Sequence, residues 1–337
     1  MRWIALSVVT AGLAASLGTW NVSRLYVAAD PRGPEQVFTI AEREPLIVVA
    51  TRLRRAGMFP DRLLAGPRIW TWLARAQGQS APFRSGEYDL SPRLTPAQIL
   101  EKLSAGQVKT YSLTFSEGSD MIEIAQRLEA AQIAPRDALL ERAFSPQFAE
   151  SLGVEAASLE GYVLPETYRF SKGTSAEAVL REMVQPPSAR LTPRDREKLS
   201  ASGMSLHHVL TLASVVEKEA KTADEKPLIA AVFRNRIDRR MRLQSDSTVI
   251  YGILRARGSF AGSIGKAELE TDTPYNTYTR GGLPAGPIAS VGIDSIRAVL
   301  APANVPYLYF ALRSDGTHSF SSSLEQHIDA VNQHPQR

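Results

Sequence analysis

Carboxylates, amides and tyrosines crowd into a few short segments of this sequence: Glu160, Tyr162, Glu166 and Tyr168 in SLEGYVLPETYRF; Glu217 in LASVVEKEA; Gln244, Asp246 and Tyr251 in QSDSTVIYG; Asn276 and Tyr278 in YNTYTRGG. These residue types bind sugars, and a carboxyl among them can give and take a proton. Each also has an ordinary structural reading: Tyr251 as core, Asn276 as a turn former, Asp246 as the cap of a helix through STVIYGIL. Their gathering around one inward-facing glutamate favours a site.

That glutamate is Glu217. The run LHHVLTLASVVEKEAKTADEKP, from Leu206, has helical spacing. At about 100° per residue, with Leu206 as zero, Val209, Leu210, Ala213, Val216 and Ala220 fall in an arc from about −80° to about +40°, and Glu217 at about +20° lies inside it. Lys218 and Glu219, at about +120° and about −140°, rotate out toward water. A charged EKEAKTADEK run reads most simply as a solvated helix end with pairs such as Glu217 with Lys221. The inward angle argues otherwise for Glu217: among Leu210, Ala213 and Val216 its anion is disfavoured, which suits it to act as an acid near neutrality.

Other chemistries lack their motifs. There is no Gly-rich phosphate loop, zincin helix or nucleophile elbow, and His207–His208 reads as helix surface. Zero cysteines exclude thiol catalysis and cysteine metal sites. No cofactor and no metal are expected. A net charge of +4 is mildly basic, but the basic residues are scattered, so nucleic acid is not an expected partner.

The elements that must position these residues follow from the rest of the chain. With 337 residues, 44% of them hydrophobic, it can build a sizeable core and two domains. Trp3 to Val22 form an uncharged, mainly apolar run long enough to cross a bilayer, with Trp3 and Trp20 as interfacial anchors. A small-residue site after Ala29 offers a cleaved signal peptide as the alternative, but Asn21, Ser23, Arg24 and Tyr26 separate it from the apolar run. Residues 1–24 are therefore expected to be an uncleaved anchor and 25–36 a linker containing PRGPEQ. VFTIAEREPLIVVATRLRRAGMFPD and VKTYSLTFSEGSDMIEIAQRLEAAQIAPRD both read as strand, turn and helix, aligned at an offset of 75 residues: Thr39 with Thr114, Glu42 with Glu117, Ile47 with Ile122. Between them lie a further strand and a helix that begins at Thr95-Pro96 and ends at Gly106. Residues 37–115 thus form a small α+β module and 116–337 a larger α+β domain, closed by the hairpin PYLYFALRSDGTHSF and a last helix.

Six segments in this order, SLEGYVLPETYRF, LASVVEKEA, AAVFRNRI, MRLQSDSTVIYG, YNTYTRGGLPAGPI and YLYFALRSDGTHSF, behind an N-terminal anchor, resemble the endolytic murein transglycosylases of the MltG (YceG-like) family. The resemblance runs from about Val37 to Val331 and is strongest from Leu159 onward. It implies an α+β fold with an N-terminal transmembrane helix, a small LysM-like module and a larger catalytic domain. It also implies an inner-membrane, single-pass protein with its catalytic domain in the periplasm, working on peptidoglycan beside synthases.

The implied reaction cleaves the MurNAc-β-1,4-GlcNAc bond inside a glycan strand and leaves a 1,6-anhydro end, as a carbon–oxygen lyase does. One carboxyl suffices, here Glu217; by resemblance Gln244, Asp246, Asn276 and Tyr278 line the cleft, supported by Glu160, with Tyr162 and Tyr251 as further substrate-binding residues. Ala285 stands where the family usually has a second proline, and ASVG from Ala289 replaces an Asn-Pro-Gly ending, in a loop expected to shape a glycan subsite. Two alternatives remain open from the residues: an inverting hydrolase with Asp246 or Glu160 as second acid, and a membrane-tethered peptidoglycan-binding scaffold without turnover.

Overall fold

A computed structural model of the chain describes residues 19–333, apart from positions 62, 64, 65, 80, 186 and 261. Most of the expected membrane anchor lies outside the described residues. Among the described residues no single helix is long and apolar enough to cross a membrane. The fold is mixed α+β, mostly helical, with three two-stranded sheets among the described residues, and it divides into two compact units.

The first unit takes in the described chain up to Tyr111, together with Ser171–Gly173. Strand β1 (Gln36–Ile40) pairs antiparallel with β2 (Gly86–Leu90), in register from Gln36 opposite Leu90 to Ile40 opposite Gly86. Two helices, Leu46–Arg55 and Gly66–Ala76, lie between these strands in sequence. The second was not anticipated; it forms because Trp70, Leu73 and Ala74 make an apolar stripe, and Trp70 is sealed in the core with its indole N–H donating to the Pro96 carbonyl at 2.8 Å. The anticipated helix at Thr95-Pro96 is present as Pro96–Ser104. Thr95 and Gln98 close a capping box at its start, with proline in the first turn, where its missing N–H costs nothing.

The second unit runs from Ser112 to Phe170 and from Thr174 onward. Strand β3 (Tyr111–Thr114) pairs with β4 (Thr167–Phe170). The two segments aligned at an offset of 75 residues are thus local strand-helix units whose strands take different partners. At the centre of the second unit lies the helix Leu206–Glu219, capped by Ser205 and buried without a break from Val209 to Val216. It packs against Ile293–Leu300, Lys226–Asp238 and Asp246–Arg257. Strands β5 (Tyr309–Leu312) and β6 (His318–Ser321) form the expected antiparallel hairpin, followed by the helix Leu324–Gln333.

Candidate active site

Glu217 faces inward as its helical angle requires: its side chain is 8% exposed. Its surroundings are not apolar, however. Oε1 receives the Lys226 ammonium at 2.9 Å, and Oε2 accepts from the Gly292 N–H at 3.1 Å and the Ser295 hydroxyl at 2.7 Å. Burial works against the Lys226 charge, but its bond to Glu217 and the Glu117 carboxylate at 3.5 Å hold it net above the ordinary lysine value. Glu217 is thus half of a buried ion pair joining three helices, and it does not border the cleft described next. The expectation of an isolated acid at this position is corrected: the cation comes from Lys226, nine residues on, which a helical wheel of one segment does not show.

The cleft lies at the end of the same helix. A space of about 590 Å3 is bordered by Glu219, Lys221, Gln244, Ser245, Asp246 and Tyr278 on one side and by the hairpin and last helix on the other, through Tyr309, His318, Leu324 and His327. A second space of about 270 Å3 is bordered by Asp120, Lys218, Ser247 and Tyr251 and shares Glu219 and Asp246 with the first. Glu219, expected to point into bulk water, therefore stands where the two spaces meet. Its Oε1 accepts from the Ser245 hydroxyl at 2.5 Å and the Ser247 hydroxyl at 2.9 Å.

The floor is built from turns pinned to helix ends. Gln244 sits in the left-handed region at φ 52°, and its N–H donates to the Thr277 carbonyl. Such a conformation is costly for a residue with a Cβ and is held here by its surroundings. The Ser245 N–H donates to Thr277 Oγ1 at 3.0 Å, and Thr277 Oγ1 lies 2.9 Å from Thr248 Oγ1. Ser245, not Asp246, occupies the cap position of the Asp246–Arg257 helix, leaving the Asp246 carboxylate to accept from the Tyr278 hydroxyl at 2.6 Å. Burial, with Asp246 beside it, raises the Tyr278 hydroxyl well above its ordinary value, so it remains a donor. Across the cleft, Arg236 donates to the carbonyls of Leu243 and Leu308, both at 2.7 Å, and its guanidinium covers the Tyr309 ring, joining the floor to the hairpin wall.

Of the residues anticipated to touch substrate, Gln244, Asp246 and Tyr278 border the larger space and Tyr251 the smaller one. The other three do not reach either. Asn276 is fully buried; its amide donates to the Leu269 and Thr271 carbonyls, and its Oδ1 accepts from the Tyr278 and Thr279 N–H groups. It is the turn former its residue type allowed. Tyr162 is buried against His207, 2.9 Å from Nδ1. Glu160 is sealed beneath the second space, accepting from the Tyr251 hydroxyl at 2.8 Å and the Met121 N–H at 3.1 Å. Burial, reinforced by the Asp120 charge, pushes its carboxyl up to about 8. The ASVG segment is also structural: Ala289 is buried, and Ser290 exchanges backbone hydrogen bonds with Gly118 and Ser119.

Glu219, Ser245, Ser247 and Asp120 also border these spaces, and none of them was among the anticipated site residues. The two serines flank Asp246 in QSDS, which was visible. Asp120 is the cap of the helix Met121–Ala130, accepting from the Ile122 and Glu123 N–H groups.

A buried helix thus ends in a carboxylate over a two-part cleft, with the QSDS turn and the YNTY turn as its floor. The chain matches the YceG-like family over residues 38–333 and belongs to it. It is 30% identical over 284 residues to the endolytic murein transglycosylase of Bacillus subtilis (strain 168), an alignment covering 80% of this chain and 77% of that one. To the endolytic murein transglycosylase of Streptococcus pneumoniae serotype 2 it is 28% identical over 318 residues, covering 85% of this chain and 56% of the pneumococcal protein. The chain therefore spans little more than half the length of that relative. A crystal structure of a YceG-like protein from Listeria monocytogenes superposes with a TM-score of 0.58 at 31% identity, covering 88% of this chain and 99% of the other. The family expected from the six ordered segments is the family found.

Proposed function

We propose that the chain is an endolytic lytic transglycosylase that cleaves the MurNAc-β-1,4-GlcNAc bond within peptidoglycan strands and leaves 1,6-anhydro ends, with Glu219 as its acid and base. The observation that carries this is the position of Glu219, at the meeting of two spaces that together can hold sugars on both sides of one bond. Glu219 gives its proton to the glycosidic oxygen as the bond to the anomeric carbon breaks, the electron pair leaving with that oxygen. The sugar's own 6-hydroxyl oxygen then closes on the anomeric carbon, and its proton returns to Glu219. No water is consumed, so no second catalytic carboxylate is needed. Gln244, Asp246 and Tyr278 would bind the hydroxyl and acetamido groups, and Tyr251 would border the second subsite, held by Glu160.

Mass spectrometry of products from purified glycan strands tests this, comparing the wild-type chain with Glu219→Gln and Glu217→Gln. The proposal expects anhydro-ended internal fragments from the wild type and from folded Glu217→Gln, and none from Glu219→Gln. Cleavage by Glu219→Gln at the wild-type rate would sink the assignment. One observation favours a second reading, an inverting hydrolase: Asp246 borders both spaces with Glu219 and could activate a water. Product ends carrying added water would establish it.

The same reading assigns residues 1–24 to a membrane anchor, places the second unit in the periplasm near peptidoglycan synthases, and takes the strand-helix-helix-strand unit as a LysM-like glycan holder. The motivation is the apolar Trp3–Val22 run and the family resemblance. Release of the chain from membranes by alkaline carbonate would contradict the anchor.

A further inference from the structure

The two oxygens of Glu219 are not equivalent. Oε1 takes the Ser245 hydroxyl at 2.5 Å and the Ser247 hydroxyl at 2.9 Å, while the two serine oxygens lie 2.8 Å apart. Each hydroxyl has one proton. Ser245 gives its proton to Oε1, and Ser247 gives its own either to Oε1 or to the Ser245 oxygen, so both remain tied to one carboxyl oxygen. The fork is rigid: Ser245 is 3% exposed, its N–H is held by Thr277, and its carbonyl accepts from Thr248 Oγ1 at 2.6 Å.

We infer that Ser245 and Ser247 are positioning residues that lock Oε1 and leave Oε2 as the single atom performing both proton transfers. This rests on the transglycosylase reading above and deepens it. The stereochemistry requires what the fork supplies. In a β-linked strand the leaving oxygen departs from the β face of the anomeric carbon, and in a 1,6-anhydro sugar the 6-oxygen bonds to that carbon from the same face. Donor and acceptor can therefore be one oxygen that does not move. In the first step the Oε2 proton passes to the leaving oxygen and the C1–O bond breaks toward it. In the second the 6-oxygen forms its bond to C1, and the 6-hydroxyl proton passes to Oε2. A carboxyl free to rotate would also present an oxygen to water and so allow hydrolysis to compete.

The experiment measures kcat, KM and label incorporation on purified strands in 18O water, for the full chain, Ser247→Ala, the Ser245→Ala/Ser247→Ala pair and Ser245→Thr. A hydrogen bond to a charged group contributes about 1.5–3 kcal/mol. The double variant should therefore lose at least about 10-fold in kcat, and about 100-fold if both hydroxyls donate to Oε1, with KM changed little, and it should gain 18O-labelled reducing ends that the wild type lacks. Half-buried Ser247 permits the single variant to fold, and that variant should show a smaller loss with the same leak; Ser245→Thr, which keeps a hydroxyl, should recover most of kcat. Wild-type kcat and unlabelled ends in Ser247→Ala and the double variant would overturn the fork, as would a loss confined to KM. Labelled ends from the wild type itself would instead overturn the transglycosylase reading, and the fork's role with it.

Discussion

The Glu217 carboxylate lies 2.9 Å from the Lys226 ammonium, with the two side chains 8% and 11% exposed. A pair so enclosed matters mostly through what its disruption leaves behind. Lys226→Met would strand the Glu217 charge between Gly292 and Ser295 and should cost about 3–5 kcal/mol in urea unfolding. Glu217→Gln, which keeps two hydrogen-bonding atoms in place, should cost less and leave cleavage by the folded protein near wild type. A folded, inactive Glu217→Gln protein would restore the proton-donor role to that residue.

Glu160 should make stability depend on pH. Its folded value of about 8 lies above the ordinary 4.5 because burial and the Asp120 charge oppose ionisation. Between those two values the folded chain keeps a proton that the unfolded chain has released. Stability should therefore fall as pH rises through that window, by up to about 1.4 kcal/mol per pH unit from this group, and flatten above it. Glu160→Gln should remove that slope; melting curves from pH 4 to 9 that keep it would show that another group is responsible.

Asp246 separates the two reaction types. In a transglycosylase it holds Tyr278 and the substrate, so Asp246→Asn should lower kcat/KM by about 10-fold, the worth of one good hydrogen bond. In an inverting hydrolase it is the base, and the same change should abolish turnover. Rates on purified strands decide between a modest loss and a complete one.

Gly252 tests how the floor is seated. A Cβ there would collide with Thr273 Oγ1 and approach Thr273 Cβ at 3.1 Å and Tyr275 Cβ at 3.3 Å. Alanine should raise helix propensity by about 1 kcal/mol, yet the overpacking should cost about 1–3 kcal/mol. Gly252→Ala is expected to be net destabilising and to weaken substrate binding through the displaced YNTY turn. A raised melting temperature with unchanged KM would contradict both.

The legibility of this protein in its sequence follows the range of the forces involved. The helix at Thr95-Pro96 was readable because a capping box and a proline are local, and the buried face of Leu206–Glu219 because periodicity is local too. Lys226 answering Glu217, or the hairpin standing opposite Glu219, depends on long-range packing that no single segment encodes. The wheel failed at Glu219 for a further reason: it sorts residues by angle alone, whereas the last turn of this helix projects beyond the core into a cleft. Asn276 misled in the other direction, because a residue type that binds sugars also closes turns.

The hairpin wall has a consequence for the order of synthesis. Tyr309, His318 and His327, which face the QSDS turn across the cleft, leave the ribosome after every residue of the floor. A nascent or prematurely terminated chain can thus carry Glu219, both serines and Asp246 and still have only half a groove. Under the proposed function, competence to cleave would be conferred last, when the hairpin and the helix Leu324–Gln333 complete the groove.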